Sequence, residues 1–158
     1  MKAIFLDFDG VLNGDDHPVF VEGWPYAHLD IPLVERLNRI IAATNAKVVV
    51  SSSWRVRFNL DELREILISR GFVGEVIDVT PRVPQRRFSE MISRGEEVQA
   101  WLHQHPDVES YVIIDDINEF KGMKKHFVET NHRTGITDKD VERAINILNG
   151  VNHPNIIL

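Results

Sequence analysis

The sequence predicts an α/β fold, a parallel sheet with helices on both faces. Three observations predict it. Five short apolar runs alternate with amphipathic helical patterns, the order that builds a parallel sheet. Two of those runs, Val48–Val50 and Val112–Ile114, are apolar without interruption, as strands covered on both faces are. At 158 residues, the chain is long enough for one domain with a proper core.

The first run, Ala3–Leu6, reads as a buried strand, and Asp7, Phe8, Asp9 and Gly10 follow it. Residues 13–30 are rich in Gly, Asp, Pro and aromatics, among them Phe20, Trp24 and Tyr26, and are expected as a flap or loop. Pro32–Thr44 sets Val34, Leu37, Ile40 and Ile41 on one helical face. Lys47–Val50 is the second strand. Leu60–Arg70 repeats the helical spacing with Leu63, Ile66 and Leu67, and Gly71 is its stop signal. Val73–Val79 is the third strand. Pro81–Ser93 is a second irregular stretch, and long loops in compact domains often carry function. Glu96–Gln104 carries Val98, Trp101 and Leu102 at helical spacing. Tyr111–Ile114 is the fourth strand and His126–Val128 a short fifth. Thr137 and Asp140 read as a capping box opening the helix Thr137–Asn149, whose apolar face is Val141, Ala144, Ile145 and Leu148. No repeat, low-complexity tract or linker divides the chain. Residues 1–158 are therefore read as one domain with a Rossmann-like sheet.

Composition narrows the function. Hydrophobic residues make up 43% and charged residues 27%, ordinary for a soluble globular protein. No apolar run approaches the roughly 20 residues of a membrane span, and the N-terminus lacks a signal-peptide pattern. Cysteine is absent, which excludes disulfides, Cys-based zinc sites and a thiol nucleophile. A cytoplasmic enzyme without membrane contact is expected. The net charge of −6 argues against broad nonspecific binding to nucleic acid. Local basic residues point instead to a specific anionic substrate: Arg82, Arg86, Arg87 and Arg94 lie near a single acid, Glu90, and Arg55 and Arg57 follow another strand.

The chemistry gathers at strand ends. The first strand ends in Asp7 and Asp9, the second in Ser51, Ser52 and Ser53, the fourth in Asp115 and Asp116. In an open parallel sheet these carboxyl ends line the edge where ligands bind. Paired carboxylates repel and are costly to desolvate, so a cation or a reaction is expected there. Positions i and i+2 of a strand point the same way, and Asp7 and Asp9 are expected to share one ligand. Carboxylates with hydroxyls and backbone N–H groups beside them suggest Mg²⁺ and a phosphate.

These residues carry a resemblance. DFDGVLN, then VVVSSSWR, then an Arg-led helix, then VIIDD resembles the haloacid dehalogenase (HAD) superfamily of phosphatases over nearly the whole chain. The pattern is most similar to small HAD domains of RNA-repair proteins and to polynucleotide 3′-phosphatases, which share the SSSWR-like, RGEE-like and DD-type motifs and a tail like HFVETNHRTGIT. The resemblance implies that Asp7 is a nucleophile forming an aspartyl-phosphate. It implies that Asp9 is a general acid toward the leaving oxygen and then a base toward water. Ser51 would hydrogen-bond the transferring phosphoryl. Asp7, the backbone carbonyl of Asp9, Asp115 and Asp116 would hold Mg²⁺, with Asp116 the closer ligand in the DD form. Gly10, Ser52, Ser53, Arg55, Arg86 and Arg87 are the expected substrate contacts.

One position departs from the superfamily pattern. A Lys usually stands near the start of the helix before the acidic strand, yet no Lys lies between Lys47 and Lys121. Arg94 is the expected substitute, since Arg is always charged and holds phosphate through parallel hydrogen bonds. Neither Asn13–Ala46 nor Trp54–Arg94 has room for a large cap domain. An open site resembles members acting on macromolecular phosphates such as RNA or DNA ends, where Trp24, Tyr26 and Trp54 are candidates for stacking on bases or for packing. The competing readings are a non-enzymatic phospho-acceptor and a degenerate HAD interaction module. A receiver-like acceptor is disfavoured because the Asp pair sits on the first strand.

Overall fold

The computed structural model describes residues 1–17, 22, 24–83 and 93–150. Its five-stranded sheet is parallel throughout, in the order β3-β2-β1-β4-β5. The strands are β1 (Lys2–Leu6), β2 (Lys47–Val50), β3 (Val76–Val79), β4 (Ser110–Asp115) and β5 (Phe127–Glu129). The helices are α1 (Ile31–Thr44), α2 (Leu60–Ser69), α3 (Arg94–His103) and α4 (Asp138–Leu148).

Alternation along each strand sorts the core into two layers. Ile4, Leu6, Val48, Val50, Val112 and Ile114 face α1, α2 and α4. Ala3, Phe5, Val49 and Ile113 face α3 and the Phe120–Met123 turn. The apolar faces expected for α1, α2 and α4 pack on the first of these layers, buried except for Ile41 and Ile145, which are partly buried against it. Thr137 and Asp140 form the expected capping box, and α2 carries a second, between Asn59 and Glu62.

The third strand begins later than expected. Val73 is exposed and its N–H is held by Asn38 Oδ1, whose amide also donates to the Gly71 carbonyl. Phe72 plugs the core, and the chain first pairs with β2 at Glu75, whose carbonyl accepts the Val48 N–H at 2.9 Å. In the 13–30 stretch, the described residues form turns, including the short helical turn Tyr26–His28. Among the described residues no helix is long and apolar enough to cross a membrane.

The strand order places β1 at the centre, between β2 and β4. Their carboxyl ends, carrying Asp7, Ser51 and Asp115, therefore converge at the middle of one sheet edge.

Candidate active site

Asp7 continues the sheet by one residue, its N–H donating to the Ile114 carbonyl at 3.0 Å. It is only 2% exposed, and Asp115 is fully buried. Asp7, Asp115 and Asp116 each present a carboxylate oxygen, all within 4.8 Å of one another. Arg94, the first residue of α3, bridges the two buried acids through one nitrogen. Its Nη1 lies 3.0 Å from Asp7 Oδ2 and 2.8 Å from Asp115 Oδ2. The other oxygens accept backbone N–H groups, Asp7 Oδ1 from Phe8 and Asp115 Oδ1 from Ile117, each at 2.9 Å.

One guanidinium does not neutralise three carboxylates. Burial, and then the charge of Asp115, push Asp7 up to about 8 despite the opposing pull of Arg94. Burial raises Asp115 as well, and both anions hold Arg94 far above neutrality in its charged form. An all-oxygen donor set with surplus negative charge, two of its members desolvated, fits a hard divalent cation.

The expectation that Asp7 and Asp9 share a ligand through their side chains is corrected. The strand ends before them, and the backbone coils at once: the N–H groups of Val11 and Leu12 both donate to the Phe8 carbonyl. Strand alternation therefore stops at Asp7. Asp9 points away from the buried acids, with its side chain 54% exposed. Its Oδ1 accepts from Asn13 Nδ2 at 2.9 Å and its Oδ2 from Trp54 Nε1 at 3.0 Å. The Asp9 carboxylate is not in the acidic cluster.

Gly10 is required where it stands. Its φ is +80°, and a Cβ there would lie 2.4 Å from Asp116 Oδ2, so any other residue would push that acid aside. The Gly10 N–H donates to Asn13 Oδ1 and its carbonyl accepts from Thr130 Oγ1 at 2.7 Å. Asn13 thus braces both Asp9 and Gly10.

At the end of β2, the Ser51 N–H is paired with Leu6, but its hydroxyl is buried and has no partner among the described residues. A buried hydroxyl normally has one, and a phosphoryl oxygen would supply it. Ser52 caps the following turn, its Oγ accepting from the Trp54 N–H. Ser53 is exposed.

Arg55, expected to touch substrate, has its guanidinium taken up within the fold. Its Nη2 pairs with the buried Glu97 at 2.6 Å, and Nη1 donates to the carbonyls of Ser51 and Ser52. It ties the serine turn to α3, which carries Arg94. Gly95 permits α3 to start so close, since a Cβ would lie 2.7 Å from the Glu119 carbonyl. Arg86 and Arg87 lie outside the described residues. Asn13, Thr130 and Glu97 support the site without having been anticipated. All three lie inside motifs visible in the sequence, Asn13 at the end of DFDGVLN, Glu97 at the end of RGEE and Thr130 within HFVETNHRTGIT, but their contacts were not.

Trp54 is 6% exposed and packs edge-on against Phe8. It is a packing residue that also fixes Asp9. Trp24 and Tyr26 remain exposed. Two clefts meet here, sharing Asp9 and His28. One, of about 490 Å³, is polar and reaches Gly10 and Asp116; the other, of about 440 Å³, is aromatic.

The family described as the HAD domain in Swiss Army Knife RNA repair proteins matches residues 3–141. A search of curated proteins and a search of solved structures each gave no match. The family match takes in the acidic cluster and all five strands apart from Lys2, and the chain belongs to this HAD family.

Proposed function

We propose that this chain is a Mg²⁺-dependent phosphatase that works through an aspartyl-phosphate on Asp7, with a nucleic-acid end or nucleotide phosphate as substrate. The observation that carries the reading is Asp7 itself, desolvated at the tip of the central strand, gripped by Arg94 and clustered with Asp115 and Asp116. Membership of an RNA-repair HAD family supports the substrate class.

Asp7, Asp115 and Asp116, with the backbone carbonyl of Asp9, would hold the cation. Bound there, Mg²⁺ supplies neutralising charge to the nucleophile and the phosphoryl oxygens. Asp7 attacks phosphorus through a carboxylate oxygen as the bond to the leaving oxygen breaks. Asp9, held at a fixed angle by Asn13 and Trp54, gives that oxygen its proton. The ionised Asp9 then takes a proton from water, which attacks phosphorus and releases the Asp7 carboxylate. Arg94 adds charge against the phosphoryl oxygens, and the unpaired Ser51 hydroxyl donates to one of them.

Release of phosphate from p-nitrophenyl phosphate, with and without Mg²⁺, tests the reading. Turnover that needs Mg²⁺ and disappears in Asp7→Asn is the expected result. Turnover that survives chelation, or survives in Asp7→Asn, would overturn it.

A further inference from the structure

We propose that the aromatic groove beside Asp9 is the leaving-group subsite and that it takes the base of the nucleotide bearing the phosphate, stacked on Trp24. The inference rests on Asp9 being the acid of the proposed phosphatase and adds where the rest of the substrate lies.

A general acid must stand between the phosphoryl site and the leaving group, because it touches the oxygen joining them. Asp9 occupies such a boundary. On one side the polar cleft runs to Gly10 and Asp116. On the other the groove is walled by Trp24, Trp54, Val56 and Phe58. Asp9 Oδ2 is held by the Trp54 indole at 3.0 Å, so the acid is anchored to the groove wall. A leaving group bonded to the oxygen that Asp9 protonates extends into this groove.

The lining specifies what fits. Trp24 is 40% exposed and Val56 more so, although Phe58 and Trp54 lie only 5.3 and 6.0 Å away from Trp24, ring centre to ring centre. Large apolar side chains clustered at an open cleft mark a binding surface. Their tilted rings offer a flat aromatic ligand a stacking platform. The exposed Arg57 guanidinium lies 5.7 Å from the Trp24 ring centre. Arg57 lies over the Trp24 ring, and a cation stacked on an aromatic platform suits a base whose neighbour is another phosphate. The groove, at about 440 Å³, falls within the range of pockets for small ligands, roughly 300–1,000 Å³, which admits one nucleoside.

The test compares oligonucleotides whose terminal, phosphate-bearing residue either keeps its base or is abasic, in 3′- and 5′-phosphorylated forms, with free nucleoside monophosphates alongside. The wild-type chain is expected to favour the intact base in kcat/KM by about 5–150-fold, the range one stacked base supplies. Trp24→Ala should bring that ratio near unity, and Trp24→Phe should retain part of it. The ranking of the 3′, 5′ and free nucleotide arms identifies the source of the base. A merely structural Trp24 would lower both substrates alike and leave the ratio standing, which would overturn the inference. So would a wild-type ratio near one, or a preference for a phosphotyrosine peptide over every nucleotide. Absence of turnover on all of these and on p-nitrophenyl phosphate would overturn the phosphatase reading, and this inference with it.

Discussion

Removing Arg94 strikes the site where its charge balance is tightest. Its Nη1 is the contact shared by Asp7 and Asp115, at 3.0 and 2.8 Å, and both acids are buried. Breaking a buried ion pair by deleting one partner costs about 3–5 kcal/mol. Here the low end applies, because an unpaired Asp7 escapes by taking up a proton, which its raised position already favours. At about 3 kcal/mol, Arg94→Ala should lower the Tm of the metal-free protein by roughly 6–12 °C. The loss should deepen as pH rises, since the proton escape then closes. Because both contacts run through one nitrogen, a single ammonium has the charge to bridge them. Arg94→Lys should therefore recover part of the stability, limited by its shorter reach. In kcat/KM on p-nitrophenyl phosphate, Arg94→Ala should lose about 10²–10³-fold, as removal of one preorganised charge-stabilising donor does, and Arg94→Lys should regain part of that. Thermal unfolding and phosphate release on the same preparations decide the matter. Wild-type stability and turnover in Arg94→Ala would refute the assignment of Arg94 as the compensating cation.

Asp9→Asn should lose about 10²–10⁴-fold in turnover of an alkyl phosphate and less on an aryl phosphate, whose leaving group needs less protonation; equal losses would count against the acid role. In metal-free protein, Asp7 is raised in the fold from its ordinary value to about 8, so its contribution is full below about pH 4 and is lost as pH rises to about 8. Mg²⁺ should therefore raise the Tm more at the alkaline end of that window, and a Mg²⁺ effect independent of pH would contradict the burial argument. Gly10→Ala combines a positive φ with a 2.4 Å contact to Asp116; it should weaken Mg²⁺ binding measured by calorimetry at least tenfold, about 1.4 kcal/mol, and unchanged affinity would exclude Asp116 from the metal site. Ca²⁺ should inhibit, because it tolerates more ligands and draws both nucleophile oxygens into coordination.

The parts of the site legible in the sequence are those written in short contiguous motifs. Asp7, Ser51, Asp115 and Asp116 each sit just after or at the end of an apolar run, and a parallel sheet brings such ends together whatever the loops do. Arg94 was legible as the charge taking the place of the expected Lys. The direction of Asp9 was not, because it depends on the strand stopping at Leu6 and the chain coiling from Phe8. Arg55 was expected beside Arg94 as a cation facing the substrate. They part only because Glu97, one turn into α3, captures the first and the acidic cluster captures the second. Thr130 meets Gly10 across 120 positions, a pairing that local pattern does not encode.

The central claim is that Asp7 carries the phosphoryl group during turnover. The direct measurement is acid quenching of the protein while it turns over p-nitrophenyl phosphate, followed by borohydride reduction and peptide mass spectrometry. The Asp9→Asn variant, which slows attack of water on the intermediate, is examined in parallel. The account predicts homoserine at position 7, the reduction product of an aspartyl-phosphate, enriched in Asp9→Asn and absent without substrate. Sustained turnover with position 7 unmodified, or with the label on another residue, would contradict it.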